Sequence, residues 1–202
     1  MSLFRKIFGP KSDTSQDNLT NEERSKYMPE IKLPIDERFT INFKDNGGKF
    51  LYCEDLDEVY QNLDNILKEN DWIDKKVYII DERLEKKFAK FEFSASKHLS
   101  ECAFFLSTCE YLISNDGSLL ISSNQIAEKK LKELPDNFVI FATTSQFVET
   151  ISEGLRGIKD KSRDRIPTNI TTIKHFKACD DKDFLSYGSS SKNLYLLLLE
   201  DL

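Results

Sequence analysis

Between positions 55 and 70, apolar side chains recur at three- and four-residue spacing: Leu56, Val59, Tyr60, Leu63, Ile66 and Leu67. That spacing lays them along one face of an amphipathic helix. Glu54 or Asp55 places negative charge at its start, where the helix dipole favours it. The pattern changes at 137–142, where Phe138, Val139, Ile140 and Phe141 form an unbroken apolar run. Such a run predicts a strand buried on both faces. Shorter runs at 77–80, 103–106 and 194–199 predict further strands, the first ending at Asp81. Residues 38–43 and 49–53 flank Asp45-Asn46-Gly47-Gly48. Asn-Gly supplies the positive φ angles of a tight turn, so this stretch predicts a hairpin. Residues 111–114 and 118–122 read as strands around Asn115-Asp116-Gly117, and 168–173 as another. Helices are predicted at 82–91, with Leu84, Phe88 and Phe91 inward, at 125–134, stopped by Pro135, and at 147–157. Strands alternating with helices give an α/β domain: a largely parallel sheet, a few antiparallel additions, and the 55–70 helix over one face.

The two ends of the chain differ in character. Leu3, Phe4, Ile7 and Phe8 are apolar around the basic Arg5 and Lys6, and Gly9-Pro10 ends that piece. Residues 11–26 are polar, with too little apolar surface to offset the entropy of ordering them. Residues 1–34 are therefore expected to be a mobile or self-docked tail, and 35–202 the folded domain. A membrane-surface anchor at 3–8 is the sharper alternative, though so short a piece buries little area.

Composition narrows the function. Of 202 residues, 39% are hydrophobic, enough for a core. A net charge of −6 argues against a general nucleic-acid binder, which needs a basic face. No apolar run is long enough to span a bilayer, and no secretory signal is evident. Cys53, Cys102, Cys109 and Cys179 lie far apart with no Cys-x-x-Cys pair, and the only histidines are His98 and His175. Reduced thiols in a cytoplasmic protein are expected, with no metal and no cofactor of its own.

Familiar enzyme signatures are absent: no GxGxxG after a strand, no GxxxxGK, no GxSxG and no HExxH. Residues 186–191 read most simply as a loop before the last strand. The segment with most chemical potential is 107–123, STCEYLISNDGSLLISS. Gly117 allows the backbone to pass close to something, and Ser114, Asn115, Asp116 and Ser118 offer hydrogen bonds there. A plain hairpin turn is the simpler reading.

That segment resembles the central signature of the LUD-domain (LutC/YkgG) lactate-utilisation family, close to T-G-A-D-x-x-I-A-E-T-G-T-L. Aligned on Gly117, Glu110 takes the acidic position, Ile113 the Ile, Ser114 the small residue and Ser118 the last hydroxyl. Residues 45–59 resemble the family's Gly-Gly entry into an acid-capped helix, and 131–143 its L-x-x-L-P and strand. Residues 167–173 sit where the family has G-P-S-x-T-x-D-I, and 187–199 resemble its G-x-H-G-P-x-x-L close, with Gly188 and Lys192 in register. The resemblance covers about 38–202. Departures are Asn115 and Asp116 for Glu-Thr, Ser189 or Ser190 for the closing His, and Ile166, Asn169 and Thr172 for a Gly, a basic residue and an Asp. No complete catalytic set is left in view.

The resemblance implies a three-layer α/β/α sandwich of the NagB/RpiA/CoA-transferase type. It implies action with partner proteins, one carrying iron–sulfur clusters, in the oxidation of L-lactate to pyruvate. Lacking clustered cysteines, this chain would be the component without iron–sulfur. Two alternatives stay open: a binding module for an organic acid, sugar phosphate or acyl-CoA, or a structural or regulatory subunit without a catalytic site. The expected ligand site joins Ser114, Asn115, Asp116, Gly117 and Ser118 to Gly188, Ser190 and Lys192 at one sheet edge. Ser118 and Ser190 would donate to a carboxylate or phosphate and Lys192 would add charge, helped by Arg163 and Arg165. Asp116 would repel an anion unless it turns away or pairs with Lys192.

Overall fold

The computed structural model describes residues 33–162, 165–176 and 192–201. Its first element is α1 (Ile35–Asp45), followed by β1 (Lys49–Cys53), α2 (Leu56–Glu69), β2 (Lys76–Tyr78), α3 (Glu82–Lys87) and β3 (Ser94–Ala95). Next come β4 (Cys102–Thr108), β5 (Tyr111–Ile113), β6 (Ser118–Ile121), α4 (Ser123–Ile126) and β7 (Asn137–Thr143). The chain continues through β8 (Phe147–Val148), α5 (Ile151–Lys161), β9 (Thr171–Ile173) and β10 (Asn193–Leu199). Pro34–Leu202 forms one compact unit.

The unbroken apolar runs become the middle of a parallel sheet with strand order β1-β10-β7-β4-β2-β3. Successive side chains of a strand point to opposite faces, so a run must be apolar throughout to be buried on both. One face carries Phe104, Leu106, Val139, Phe141, Tyr195 and Leu197, packed with Val59, Leu63, Ile66 and Leu67 of α2 and with Leu84 of α3. On the other face Phe50 lies level with Leu196 and meets Phe43 of α1 at 6.5 Å between ring centroids. Helices therefore cover both faces, and the architecture is the α/β/α sandwich that the sequence led us to expect. The antiparallel pieces do not extend this sheet. They form a second sheet, β8-β5-β6-β9, with two strands inserted between β4 and β7 and two between β7 and β10.

Four local expectations are corrected. Residues 38–43 are helix, not strand. Phe39, Ile41 and Phe43 alternate in sequence, yet Phe39 and Phe43 are buried and Ile41 is 48% exposed. The buried set of α1, Asp36, Phe39, Thr40 and Phe43, follows helical spacing. Asn46-Gly47-Gly48 is the end of that helix. Gly47 has φ +88°, its N–H donates to Lys44 O, and Gly48 N–H donates to Phe43 O at 2.9 Å. These are the paired bonds of a Schellman cap, which uses the same positive φ that suggested a hairpin. Residues 125–134 are not one helix, because α4 stops at Ala127, whose φ is +51°. Helix α5 starts later than expected, at Ile151, where the Thr150 side chain accepts from Glu153 N–H. Residues 1–32 of the expected tail lie outside the described residues.

Candidate functional site

In the parallel sheet, the chain leaving β2 passes outward to β3, and the chain leaving β4 passes the other way, towards β7. Where neighbouring strands send their connections to opposite sides, a crevice opens at their carboxyl ends. A cleft of about 570 Å³ lies there, lined by Ile80, Asp81, Glu82, Arg83, Thr108, Glu110, Asn124 and Gln125. That volume is in the usual range for a small-molecule site.

Each wall of the cleft is held by local structure. Asp81 caps α3, its Oδ1 accepting from Arg83 N–H at 2.9 Å. The Arg83 guanidinium also reaches it, 3.3 Å from Nε to Oδ1. Partial burial pushes the Asp81 carboxyl up, but hydrogen bonds from the Arg83 backbone and side chain and the adjacent positive charge outweigh it. The group ends below the usual carboxylate range. Glu110 follows β4 and is pinned by the inserted sheet, its N–H donating to Leu120 O at 2.8 Å. Its Oε1 accepts from Ser122 Oγ at 2.6 Å and from Asn124 Nδ2 at 2.8 Å. Gln125 in turn accepts from Ser122 N–H through Oε1, which locks the start of α4. Gln146 Nε2 donates to Cys109 O at 2.6 Å and fixes the backbone behind Glu110. Between Thr108 and Glu110, the Cys109 thiol is pushed far up by complete burial, so it supplies no thiolate.

The residues of the expected site stand elsewhere. The 114–118 turn packs on α1. Asn42 Nδ2 donates to Ser114 O at 2.8 Å and Asn46 Nδ2 to Asp116 O at 2.7 Å. Ser114 Oγ donates to Val148 O, and Ser118 Oγ donates to Asp116 Oδ1 at 2.7 Å. Asn115 is exposed, with its N–H bonded to Glu149 O. Gly117 has φ +67°, and a Cβ there would lie 2.4 Å from the Asn42 carbonyl carbon. The close approach foreseen at Gly117 is to the α1 backbone. Asp116 pairs with Lys174 at 3.8 Å rather than with Lys192. The Lys192 ammonium is buried and donates to Leu134 O, Pro135 O and Asp136 Oδ1. A short chain of contacts relates it to the turn: Lys192 N–H donates to His175 O, and Phe176 N–H to Asn46 O. Gly188, Ser190 and Arg163 lie outside the described residues, and Arg165 is exposed.

Sequence reasoning did not offer Asp81, Glu82, Arg83, Thr108, Asn124 or Gln125 as site residues. Two signals were available. Asp81 ends a predicted strand, and Glu110 takes the acidic position of the resemblance, just past another strand. Among the described residues, no group of three His, Cys, Asp or Glu side chains could hold a metal ion. No described helix is long and apolar enough to cross a membrane.

A family model described as LUD domain matches residues 37–199 of the chain. The crystal structure of a DUF162 family protein from Deinococcus radiodurans superposes with a TM-score of 0.58 at 17% identity. The match covers 82% of this chain and 96% of that one, and at this identity it speaks for the fold alone. No curated protein sequence matches the chain.

Proposed function

We propose, on the premise that this chain belongs to the LUD-domain family, that it is a lactate-utilisation protein of the cytoplasm with its ligand site in the β2–β4 cleft. In this reading it is the component without iron–sulfur, acting with partner proteins in the oxidation of L-lactate to pyruvate. The family itself is associated with lactate utilisation. The observation that carries the proposal is the place of Glu110. In the resemblance to the family signature it takes the acidic position, and it lines the cleft at the carboxyl ends of the strands, where open α/β sheets bind ligands.

Turning a 2-hydroxy acid into a 2-oxo acid releases two electrons and two protons. A carboxylate such as Glu110 can accept the hydroxyl hydrogen bond and then that proton. The described cysteines, Cys53, Cys102 and Cys109, are free thiols. In sequence all four cysteines are too scattered to bind a cluster, so in this reading both electrons and the proton from the carbon would have to be taken up by a partner protein.

Calorimetric titration with L-lactate tests the site, using wild type, Glu110→Gln and Thr108→Val. Binding that weakens in both variants is the expected result. No binding tighter than about millimolar, or binding indifferent to both changes, removes the cleft from the reaction. For the partner, the tagged chain is recovered from lactate-grown cells. Recovery without any iron–sulfur protein refutes the complex and favours a stand-alone binding module.

A further inference from the structure

The cleft is lined almost wholly by hydrogen-bonding groups, Ile80 being the one apolar side chain among the eight residues. Three carboxylates, Asp81, Glu82 and Glu110, stand against one guanidinium, Arg83. Such a lining disfavours a bare anion and favours hydroxyl donors, whose bonds to carboxylate are charge-assisted.

Two of the carboxylates are also pre-set. Asp81 and Glu110 follow neighbouring strands, which run about 4.8 Å apart, so they occupy adjoining rims of one cleft. Each has one oxygen anchored by the protein. Asp81 Oδ1 is held by Arg83 N–H and Nε, and Glu110 Oε1 by Ser122 and Asn124. Their other oxygens are differently placed. Asp81 Oδ2 accepts a long hydrogen bond from the Arg83 guanidinium at 3.4 Å. Glu110 Oε2 has no hydrogen bond among the described residues. An acceptor held in place before the ligand arrives binds with less ordering cost. In dinucleotide-binding α/β sheets an acidic residue receives a ribose hydroxyl in this way.

Size allows such a ligand. A three-carbon acid displaces only three or four waters, on the order of 100 Å³. The cleft holds about 570 Å³. Arg83, with a side chain 91% exposed, stands at the rim and is held by an ion pair of little strength. It is available to an acidic end of a larger ligand.

We infer that the β2–β4 cleft binds a polyhydroxylated molecule of the sugar or sugar-acid class, with Asp81 and Glu110 each accepting a ligand hydroxyl. This rests on the cleft being the ligand site and enlarges its substrate class beyond L-lactate.

The test is amide chemical-shift titration of the full chain with D-gluconate, D-ribose, 2-deoxy-D-ribose and L-lactate. Wild type is compared with Asp81→Asn and Glu110→Gln. Asn retains the cap on α3, so an unchanged unfolding midpoint shows that the fold is intact. Expected are shifts at 80–83 and 108–110 with gluconate or ribose. Their dissociation constant should be at least about tenfold below that of L-lactate, and about tenfold or more weaker in either variant. Loss of one hydroxyl, in 2-deoxy-D-ribose, should weaken ribose binding similarly. If L-lactate shifts these amides and the polyols do not, the inference fails while the lactate reading stands. If polyols bind and L-lactate does not, the inference holds and the lactate reading falls. If nothing shifts these amides, both are overturned.

Discussion

The 114–118 turn and the β2–β4 cleft are both rich in acidic and small polar residues, yet their side chains keep different company. In the turn, Ser114 and Ser118 are fully buried, and their hydroxyls and the Asp116 carboxylate are taken up by Val148, Ser118 and Lys174. Two of its backbone carbonyls are taken by Asn42 of α1 and by Asn46 at the end of that helix. In the cleft, Asp81 and Glu110 are only half-buried; Glu110 spends one oxygen on the protein, and Asp81 Oδ2 meets only the long bond from the exposed Arg83 beyond its anchored Oδ1. Buried polar groups must be satisfied, and a group satisfied by the fold has little left for a ligand. The turn's hydrogen bonds therefore hold the second sheet against α1, while those in the cleft position groups that still have capacity to bind.

The sharpest break of this comparison is Gly117→Val. A β-branched residue at φ +67° is strained, and its Cβ would meet α1 backbone, which cannot move aside cheaply. We expect a loss of roughly 3 kcal/mol or more, read as a lower urea midpoint. Ligand affinity of the remaining folded protein should be unchanged. A stable variant with lost binding would transfer the site from the cleft to the turn.

Lys192→Met comes next. Its side chain is 2% exposed, and removing the ammonium leaves the Leu134 and Pro135 carbonyls without their donor. The relief of burying a charge offsets part of that, so a cost of about 2 kcal/mol is expected. Unfolding of this variant at the wild-type midpoint would show that the lysine does not tie β10 to the segment before β7. By contrast, Glu110→Gln keeps an oxygen for Ser122 and should change stability by no more than about 0.5 kcal/mol. The same variant should lose ligand affinity, and that split between stability and binding separates the two regions.

Much of the fold was legible because strands buried on both faces demand uninterrupted apolar runs. Phe138–Phe141 and Leu194–Leu199 could hardly be placed otherwise, and α2 announces itself by spacing. Residues 38–43 misled because Phe39, Ile41 and Phe43 fit a period of two as well as the Phe39–Phe43 pair fits a helical turn. Asn46-Gly47 misled because a hairpin and a helix end call on the same backbone freedom. The cleft was harder for a different reason. Asp81, Glu110 and Asn124 are far apart in the chain and meet only because β2 lies beside β4. Strand order is set by the tertiary packing, and no local pattern records it. The Gly and Ser of the turn carry a local signal, but whether such groups face a ligand or a neighbouring helix depends on burial that the signal does not contain.

The smallest effect concerns another carboxylate at the carboxyl end of the same sheet, and it limits how far the comparison extends. Asp201 follows β10 and clasps the loop after β7. Its Oδ1 accepts from Thr144 Oγ1 at 2.7 Å and Ser145 N–H at 2.9 Å, and its Oδ2 from Ser145 Oγ at 2.6 Å. Both oxygens are used, as in the turn, although the residue is exposed, as in the cleft. Partial burial pushes its carboxyl up, but the hydrogen bonds from Ser145 and Thr144 prevail and hold it at about 2. A folded value depressed below that of the unfolded chain, about 3.9, contributes stability that is complete above that value. The contribution is lost as the pH falls towards 2. Exposure keeps it small. Asp201→Asn should therefore melt slightly below wild type at neutral pH, and the two melting curves should converge between about pH 4 and pH 2. Parallel curves across that range would mean that the clasp does not form in solution. Asp201 would then have oxygens available, and it would join Asp81 and Glu110 as a group able to receive a ligand.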